Sequence, residues 1–252
     1  MAETSPIRSI KDLGIDPNVY QKYLRNLRSG RKTYALGNQK PLTRNPSDNP
    51  NGITLRAFFD EETDRVLNDR LIKPIEELAA ENGVSIYPGT LWTLHTTISN
   101  LLYLPEATPG SKEEAFEKVL KDPRAAEAAQ NLEGLIIDFD VLFGGNTIAA
   151  AAFLLPTQVL EARRQMTQVA KNLGLGENDY SNILHITLAR IAAGESERMD
   201  VNSFGKGLMR MHYSLVRQPL IVRISNAQIM PDLQMVEVHE APLARALLAA
   251  RI

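Results

Sequence analysis

The stretch I-L-H-I-T-L-A-R at residues 183–190 decides the fold, and L-H-T-T-I at residues 94–98 repeats its centre. Both read apolar-His-x-Thr-apolar among β-forming residues, which predicts two strands. Because side chains alternate along a strand, each imidazole shares a face with the hydroxyl two residues later, while the apolar neighbours face the core. Two separate strands therefore present the same pair of side chains, namely His95 with Thr97 and His185 with Thr187.

Strands and helices alternate on either side of these motifs. The predicted strands cover 53–59, 90–101, 134–143, 147–155, 182–191, 219–229 and 233–239. The predicted helices cover 60–82, 111–132, 157–173 and 203–216. The F-G-G-N sequence at 143–146 predicts a tight hairpin turn between antiparallel neighbours.

A helix with two or three strands occurs on each side of residue 150 or so, and each group contains one motif. We expect an α+β domain over 53–252, with two pseudo-symmetric lobes of antiparallel strands and packed helices around a central cleft. Residues 1–52 are rich in turn-forming and basic residues, and we interpret them as a loop-rich N-terminal extension.

Composition excludes several classes of protein. The 28 Lys and Arg nearly balance the 30 Asp and Glu, so no overall positive field favours duplex DNA. The absence of cysteine excludes disulfides, thiolate metal sites and cysteine nucleophiles. The longest apolar run, 148–155, is too short to span a bilayer, and the first residues lack the apolar segment of a signal peptide. We expect a cytoplasmic monomer without a membrane partner.

Paired histidines indicate general acid–base chemistry at phosphorus. One group removes a proton from the attacking oxygen, and the other protonates the leaving oxygen. An imidazole suits both roles because its ordinary pKa of about 6.5 makes both protonation states available near neutral pH. Each threonine hydroxyl can donate to a phosphate oxygen. Such an arrangement requires neither a metal nor a cofactor. Asp138 and Asp140 share a strand face, which is compatible with a metal site, but without nearby histidines we interpret them as solvated carboxylates.

These motifs resemble those of the 2H phosphoesterases, a superfamily that includes 2'-5' RNA ligase-like proteins and 2',3'-cyclic phosphodiesterases. The likeness covers about 53–240, and the second motif carries most of it. This chain departs from the family pattern in its first motif, L-H-T-T-I-S at 94–99, and at Leu184 before the second histidine, where the family commonly has proline. The resemblance implies that His95 and His185 are the acid–base pair and that Thr97 and Thr187 bind phosphate.

The function implied is hydrolysis or transfer at a 2',3'-cyclic phosphate or 2'-5' phosphodiester of an RNA terminus or small nucleotide. Two alternatives stay open. The chain is a nucleotide- or RNA-end-binding module with little catalysis, or a scaffold whose partner binds the basic segment of the N-terminal extension. A further alternative for the motifs alone is a pair of histidines with satisfied hydrogen bonds on half-exposed strands.

Four other residues bear on the site. Strict alternation puts Thr93 and Ser99 on the face of His95, where they either extend a polar cleft floor or only reflect the preference of such residues for strands. The same alternation puts Arg190 on the face opposite to His185 unless the strand contains a bulge. Tyr180 precedes the second motif and either stacks on a base or anchors its loop.

Overall fold

The structure is a computed structural model that describes residues 52–89, 94–144, 147–152, 154–177, 183–191 and 200–232. The N-terminal extension except Gly52, the predicted strand 233–239, the hairpin residues 145–146, Thr93 and Tyr180 lie outside these ranges. Helices within them are α1 Glu61–Leu67, α2 Lys73–Glu81, α3 Pro109–Lys121, α4 Pro123–Gln130, α5 Thr157–Leu173 and α6 Val201–Arg217. No helix in the described part of the chain is long and apolar enough to cross a bilayer.

The helix α5 has the predicted bounds, and local chemistry explains them. Its buried residues recur at helical spacing, so one face packs on the core: Val159, Ala162, Met166, Val169 and Ala170. Pro156 stands immediately before its first turn. Gly174 ends it with φ +66°, a left-handed conformation that glycine adopts without strain.

Two predicted helices are interrupted. The helix predicted over 60–82 is divided into α1 and α2 by a π-helical turn, Asn68–Ile72. The helix predicted over 111–132 is divided at Asp122, because Pro123 has no N–H to continue the α3 ladder. Asp122 instead caps α4 by accepting the Arg124 backbone N–H at 2.9 Å.

The strands within the described ranges are β1 Gly52–Phe59, β2 Ile86–Pro88, β3 His95–Leu102, β4 Ile136–Phe139, β5 Val141–Gly144, β6 Thr147–Ala152, β7 Gly176–Glu177, β8 Leu184–Ile191 and β9 Leu220–Pro231. They form one antiparallel sheet in the order β4-β9-β1-β3-β8-β6-β5, with β2 beside β8 and β7 beside β3. The α+β class with antiparallel strands is therefore confirmed. The short strand β2 was not expected from the sequence.

The strand predicted over 134–143 is wrong as a single element. It is two strands, β4 and β5, which Asp140 separates and which lie at opposite ends of the sheet order. β4 pairs with β9, whereas β5 pairs with β6. Because consecutive strands occupy both ends, the sheet curls toward closure. The antiparallel pairing of β5 with β6 agrees with the predicted hairpin.

Both motif strands contain a β-bulge at the same motif position. In β3, Thr97 pairs with Arg56 and Ser99 pairs with Leu55, so Ile98 is an extra residue. In β8, Thr187 pairs with Ala149 and Ala189 pairs with Ile148, which makes Leu188 the extra residue. Each bulged residue lies three positions after its motif histidine. This correspondence supports the pseudo-symmetry of the two motif strands.

The bulges change which later residues share the motif face. An extra residue reverses the alternation, so the residue five positions after each histidine returns to the face of that histidine. Those residues are Asn100 and Arg190. Ser99 instead pairs with the core residue Leu55 and is buried. The expectation that Ser99 extends the face of His95 is therefore wrong.

Candidate active site

The two motif strands meet at one residue pair in the middle of the sheet. Thr96 of β3 pairs with Ile186 of β8, and both are fully buried. Their neighbours in each strand point to the other face, because alternate side chains of a strand point in opposite directions. The structure thereby places four half-buried side chains on one face, namely His95, Thr97, His185 and Thr187.

The antiparallel register crosses the two motifs. On either side of the Thr96–Ile186 pair, His95 lies toward Thr187 and Thr97 lies toward His185. Each imidazole is thus next to the hydroxyl of the other motif. In a regular antiparallel pair, diagonal neighbours of this kind are about 7–8 Å apart at the backbone.

Phe58 of β1 supports the ring of His95. The two residues are paired across β1 and β3, and their ring centroids are 5.9 Å apart at an interplanar angle of 50°. Phe58 is itself buried. A tilted aromatic contact of this kind restricts the rotamers of the imidazole. His95 is therefore held from the side of β1.

Arg190 joins the site through the β8 bulge. It pairs with Thr147 of β6, which lies on the same face as Ala149 and hence as Thr187. The expectation that it lies opposite His185 does not hold, and the bulge at Leu188 is the reason. Its Nε is buried without a hydrogen-bond partner among the described residues. Burial also lowers the pKa of the Arg190 guanidinium, although arginine stays protonated at neutral pH.

The surroundings of His185 favour its neutral form. Burial lowers the pKa of this imidazole, and the positive charges of Arg190 and Arg163 lower it further. Arg163 belongs to α5, which packs against β3. These effects favour the neutral imidazole, the form that can accept a proton.

A third arginine, Arg56, lies beside the first motif. It is buried and pairs with Thr97 across β1 and β3. A terminal nitrogen of Arg56 donates to Asp232 at 3.3 Å, and the side-chain amide of Asn100 donates to the second oxygen of the same carboxylate at 3.3 Å. Asn100 stands at the position that Arg190 occupies in the second motif. The first motif thus has an amide where the second has a cation.

Small and aromatic residues border β8 on the motif face. Ala149 and Ala151 pair with Thr187 and His185, so only methyl groups stand beside the second motif on the β6 side. On the β2 side, Tyr87 pairs with Arg190 and is 48% exposed. An exposed ring next to a half-buried cation suits a ligand that has both an aromatic base and a phosphate.

Another histidine, His212, and the two aspartates Asp138 and Asp140 lie outside the motif strands. His212 is buried in α6 and accepts the backbone N–H of Leu142 through Nδ1 at 3.2 Å. Asp138 is exposed on β4, and Asp140 follows it. Burial raises the pKa of the Asp140 carboxyl, and the charge of Asp138 adds to the effect. Within the ranges described, no three or more potential ligands cluster in a way that would hold a metal ion.

The structure thus brings the four predicted motif residues to one face of adjacent strands, and it adds arginines that the sequence analysis missed or placed elsewhere. Arg56 and Arg163 occur in ordinary strand and helix patterns, so nothing in the sequence distinguishes them from surface cations. Arg190 had a signal, since it ends the second motif, but its face depended on a bulge.

No protein-family model matches the chain, and no protein of curated function is significantly similar to it. The structure is similar to two structures of Usb1 from Kluyveromyces marxianus. One, with uridine monophosphate, has 15% identity and a TM-score of 0.42, and the match covers 73% of this chain and 96% of that chain. The other has 12% identity and a TM-score of 0.42, covering 72% and 98%. The function is therefore inferred from the site's own residues.

Proposed function

We propose that this chain is a metal-independent phosphoesterase of the 2H type. Its substrate is a 2',3'-cyclic phosphate or a 2'-5' phosphodiester of an RNA terminus or small nucleotide. The observation that carries the proposal is the crossed placement of two His-x-Thr motifs on one face of adjacent strands. The return of Arg190 to the same face supports it, because a half-buried cation with a buried Nε favours an anionic ligand.

Hydrolysis of a cyclic phosphate assigns a task to each group. One imidazole removes a proton from water as the water oxygen attacks phosphorus. The bond from phosphorus to one ribose oxygen breaks, and the other imidazole protonates that oxygen. Thr97 and Thr187 donate to non-bridging oxygens, and Arg190 stabilises the charge that develops on them.

His185 is suited to the role of base in this step, and His95 to that of acid. A base must start unprotonated, and burial together with two neighbouring arginines disfavours the protonated form of His185. His95 then takes the role of acid, and its ring contacts that of Phe58.

Two features favour a nucleotide over a long duplex. The exposed ring of Tyr87 lies next to Arg190 and offers a surface on which a base can stack. The chain has no excess of positive charge, whereas contact with many phosphates requires many cations. A mononucleotide or the last nucleotides of an RNA strand satisfy both conditions.

The test is turnover of nucleoside 2',3'-cyclic monophosphates and 2'-5' dinucleotides with and without EDTA. We expect activity that survives the chelator and a bell-shaped dependence of rate on pH. His95→Ala and His185→Ala should each reduce kcat about 10²-fold or more while circular dichroism shows an intact fold. Thr96→Val is the matched control, because Thr96 is adjacent to both motif residues of β3 but points into the core.

Full activity in either histidine variant would refute the proposal. Tight binding of the nucleotide by the wild-type chain without any turnover would favour the binding module instead. Loss of activity in Thr96→Val equal to that in the histidine variants would mean that the assay reports the integrity of the fold.

A further inference from the structure

Arg163 of α5 reaches the backbone of both motif strands. Its Nε donates to the carbonyl oxygen of Ile98 in β3 at 2.8 Å. A terminal nitrogen of the same guanidinium donates to the carbonyl oxygen of Ile183, just before β8, at 3.0 Å. One side chain from a helix thus joins the two strands that carry the histidines.

Both carbonyls belong to residues close to the motif side chains in the sequence. Ile98 is the bulged residue of β3 and follows Thr97 directly. Ile183 stands two residues before His185. Among the residues that the structure describes, a single Cα pair, Thr96 with Ile186, connects β3 and β8 directly. The guanidinium therefore adds two hydrogen bonds where the strand ladder contributes little.

We propose that Arg163 is a positioning residue that sets the separation of the two histidine motifs by linking the backbone of β3 to that of β8. The catalytic consequence rests on the proposed function, whereas the link between the strands does not. Arginine suits this role because its planar group presents donors in fixed directions, so one side chain can satisfy two carbonyls at a defined spacing. Lysine keeps the charge but has no such fork.

The charge of Arg163 provides a second effect at the same place. Together with burial and Arg190, it lowers the pKa of the His185 imidazole. Arg163 thus acts on the geometry of both motifs and on the protonation of one. The two effects are separable, because the first requires the fork of hydrogen bonds and the second requires only the charge.

The experiment compares Arg163→Lys and Arg163→Met in the full chain, with Arg164→Met as the control. Arg164 is the next residue of α5, but its side chain is 76% exposed and pairs with Glu161 within the helix. Three quantities are measured. They are kcat and KM on uridine 2',3'-cyclic monophosphate across pH, the NMR titration of His185, and hydrogen exchange of the β3 and β8 amides.

We expect both Arg163 variants to exchange the amides near Thr96 and Ile186 about ten-fold faster or more, because the linked carbonyls are released. In both, kcat should fall about 10- to 100-fold with a smaller change in KM, since displacement of a reacting group by about 1 Å has an effect of this size. Only Arg163→Met should move the acid limb of the pH profile and the His185 titration to higher pH. Arg164→Met should match the wild type throughout.

The proposal is overturned if both Arg163 variants keep wild-type exchange in β3 and β8. It is also overturned if kcat stays within two-fold of the wild type while turnover is readily measured. If Arg163→Met does not fold, the exchange and kcat of Arg163→Lys decide the matter. If the wild-type chain turns over none of the substrates, the proposed function fails, but exchange and the His185 titration still test the link.

Discussion

Replacement of Arg190 by methionine separates a role in binding phosphate from a role in stability. Methionine keeps an unbranched apolar side chain on the motif face and removes the guanidinium. If that group donates to a phosphate oxygen, its loss removes a charge-assisted hydrogen bond of about 1.5–3 kcal/mol. This corresponds to a decrease of about 10- to 150-fold in kcat/KM.

The thermal stability of Arg190→Met should stay the same or rise, although its activity falls. The folded state opposes the charge of Arg190, as the lowered pKa of its guanidinium indicates, and its Nε has no partner among the described residues. Removal of a half-buried cation of this kind leaves no new unpaired charge of opposite sign at that position. We therefore expect Arg190→Met to have the Tm of the wild type or a higher one.

The assay is steady-state hydrolysis of a nucleoside 2',3'-cyclic monophosphate, with thermal unfolding of the same samples. Arg190→Lys should lose less than Arg190→Met, because it keeps the charge without the fork. Arg223→Met is the control, since Arg223 is a strand arginine whose side chain is 60% exposed. Wild-type kcat/KM in Arg190→Met, or an equal loss in the control, would refute the assignment.

Three further predictions concern the second motif and its support. Because the pKa of folded His185 lies below its ordinary 6.5, the unfolded chain binds more protons between the two values, so the free energy of unfolding should rise with pH over that window. Urea titrations should show this slope reduced in His185→Gln. Thr187→Val should lower kcat/KM about ten-fold with little change in Tm. Its control is Thr96→Val, which should change neither quantity, because the Thr96 hydroxyl is buried without a partner among the described residues. Gly89→Ala should lower the free energy of unfolding by about 1–3 kcal/mol, because a Cβ there would lie 3.1 Å from the backbone oxygen of Leu188. Chemical denaturation measures this loss.

The elements that the sequence predicted well are those whose ends are marked by capping or helix-breaking residues. The strand β1 and helix α5 agree with the prediction to within one residue, because alternation or helical spacing of apolar residues is bounded by Asp60, Pro156 and Gly174. The break at Asp122 had a signal in Pro123 that the helical spacing on both sides obscured. No sequence signal marks the division at Asp140, since the apolar residues on both sides of it alternate as they would in a single strand.

In the candidate site, too, some features follow from the local sequence and others depend on tertiary packing. The motif residues and their shared face follow from alternation within a few residues. The bulges at Ile98 and Leu188 involve ordinary apolar residues, so the sequence does not reveal them, and they decide the faces of Ser99 and Arg190. The contact of Arg163 with two strands depends on the packing of a helix on the sheet, which no local pattern specifies.

The most direct test is a crystal structure of the wild-type chain with uridine 2'-monophosphate. If two imidazoles act on one phosphorus, a ring nitrogen of His95 and one of His185 should each lie about 2.6–3.2 Å from oxygens of the same phosphate group. A phosphate bound away from both motifs would contradict this. So would ring nitrogens of the two histidines more than about 12 Å apart, since no single phosphate bridges that distance by hydrogen bonds.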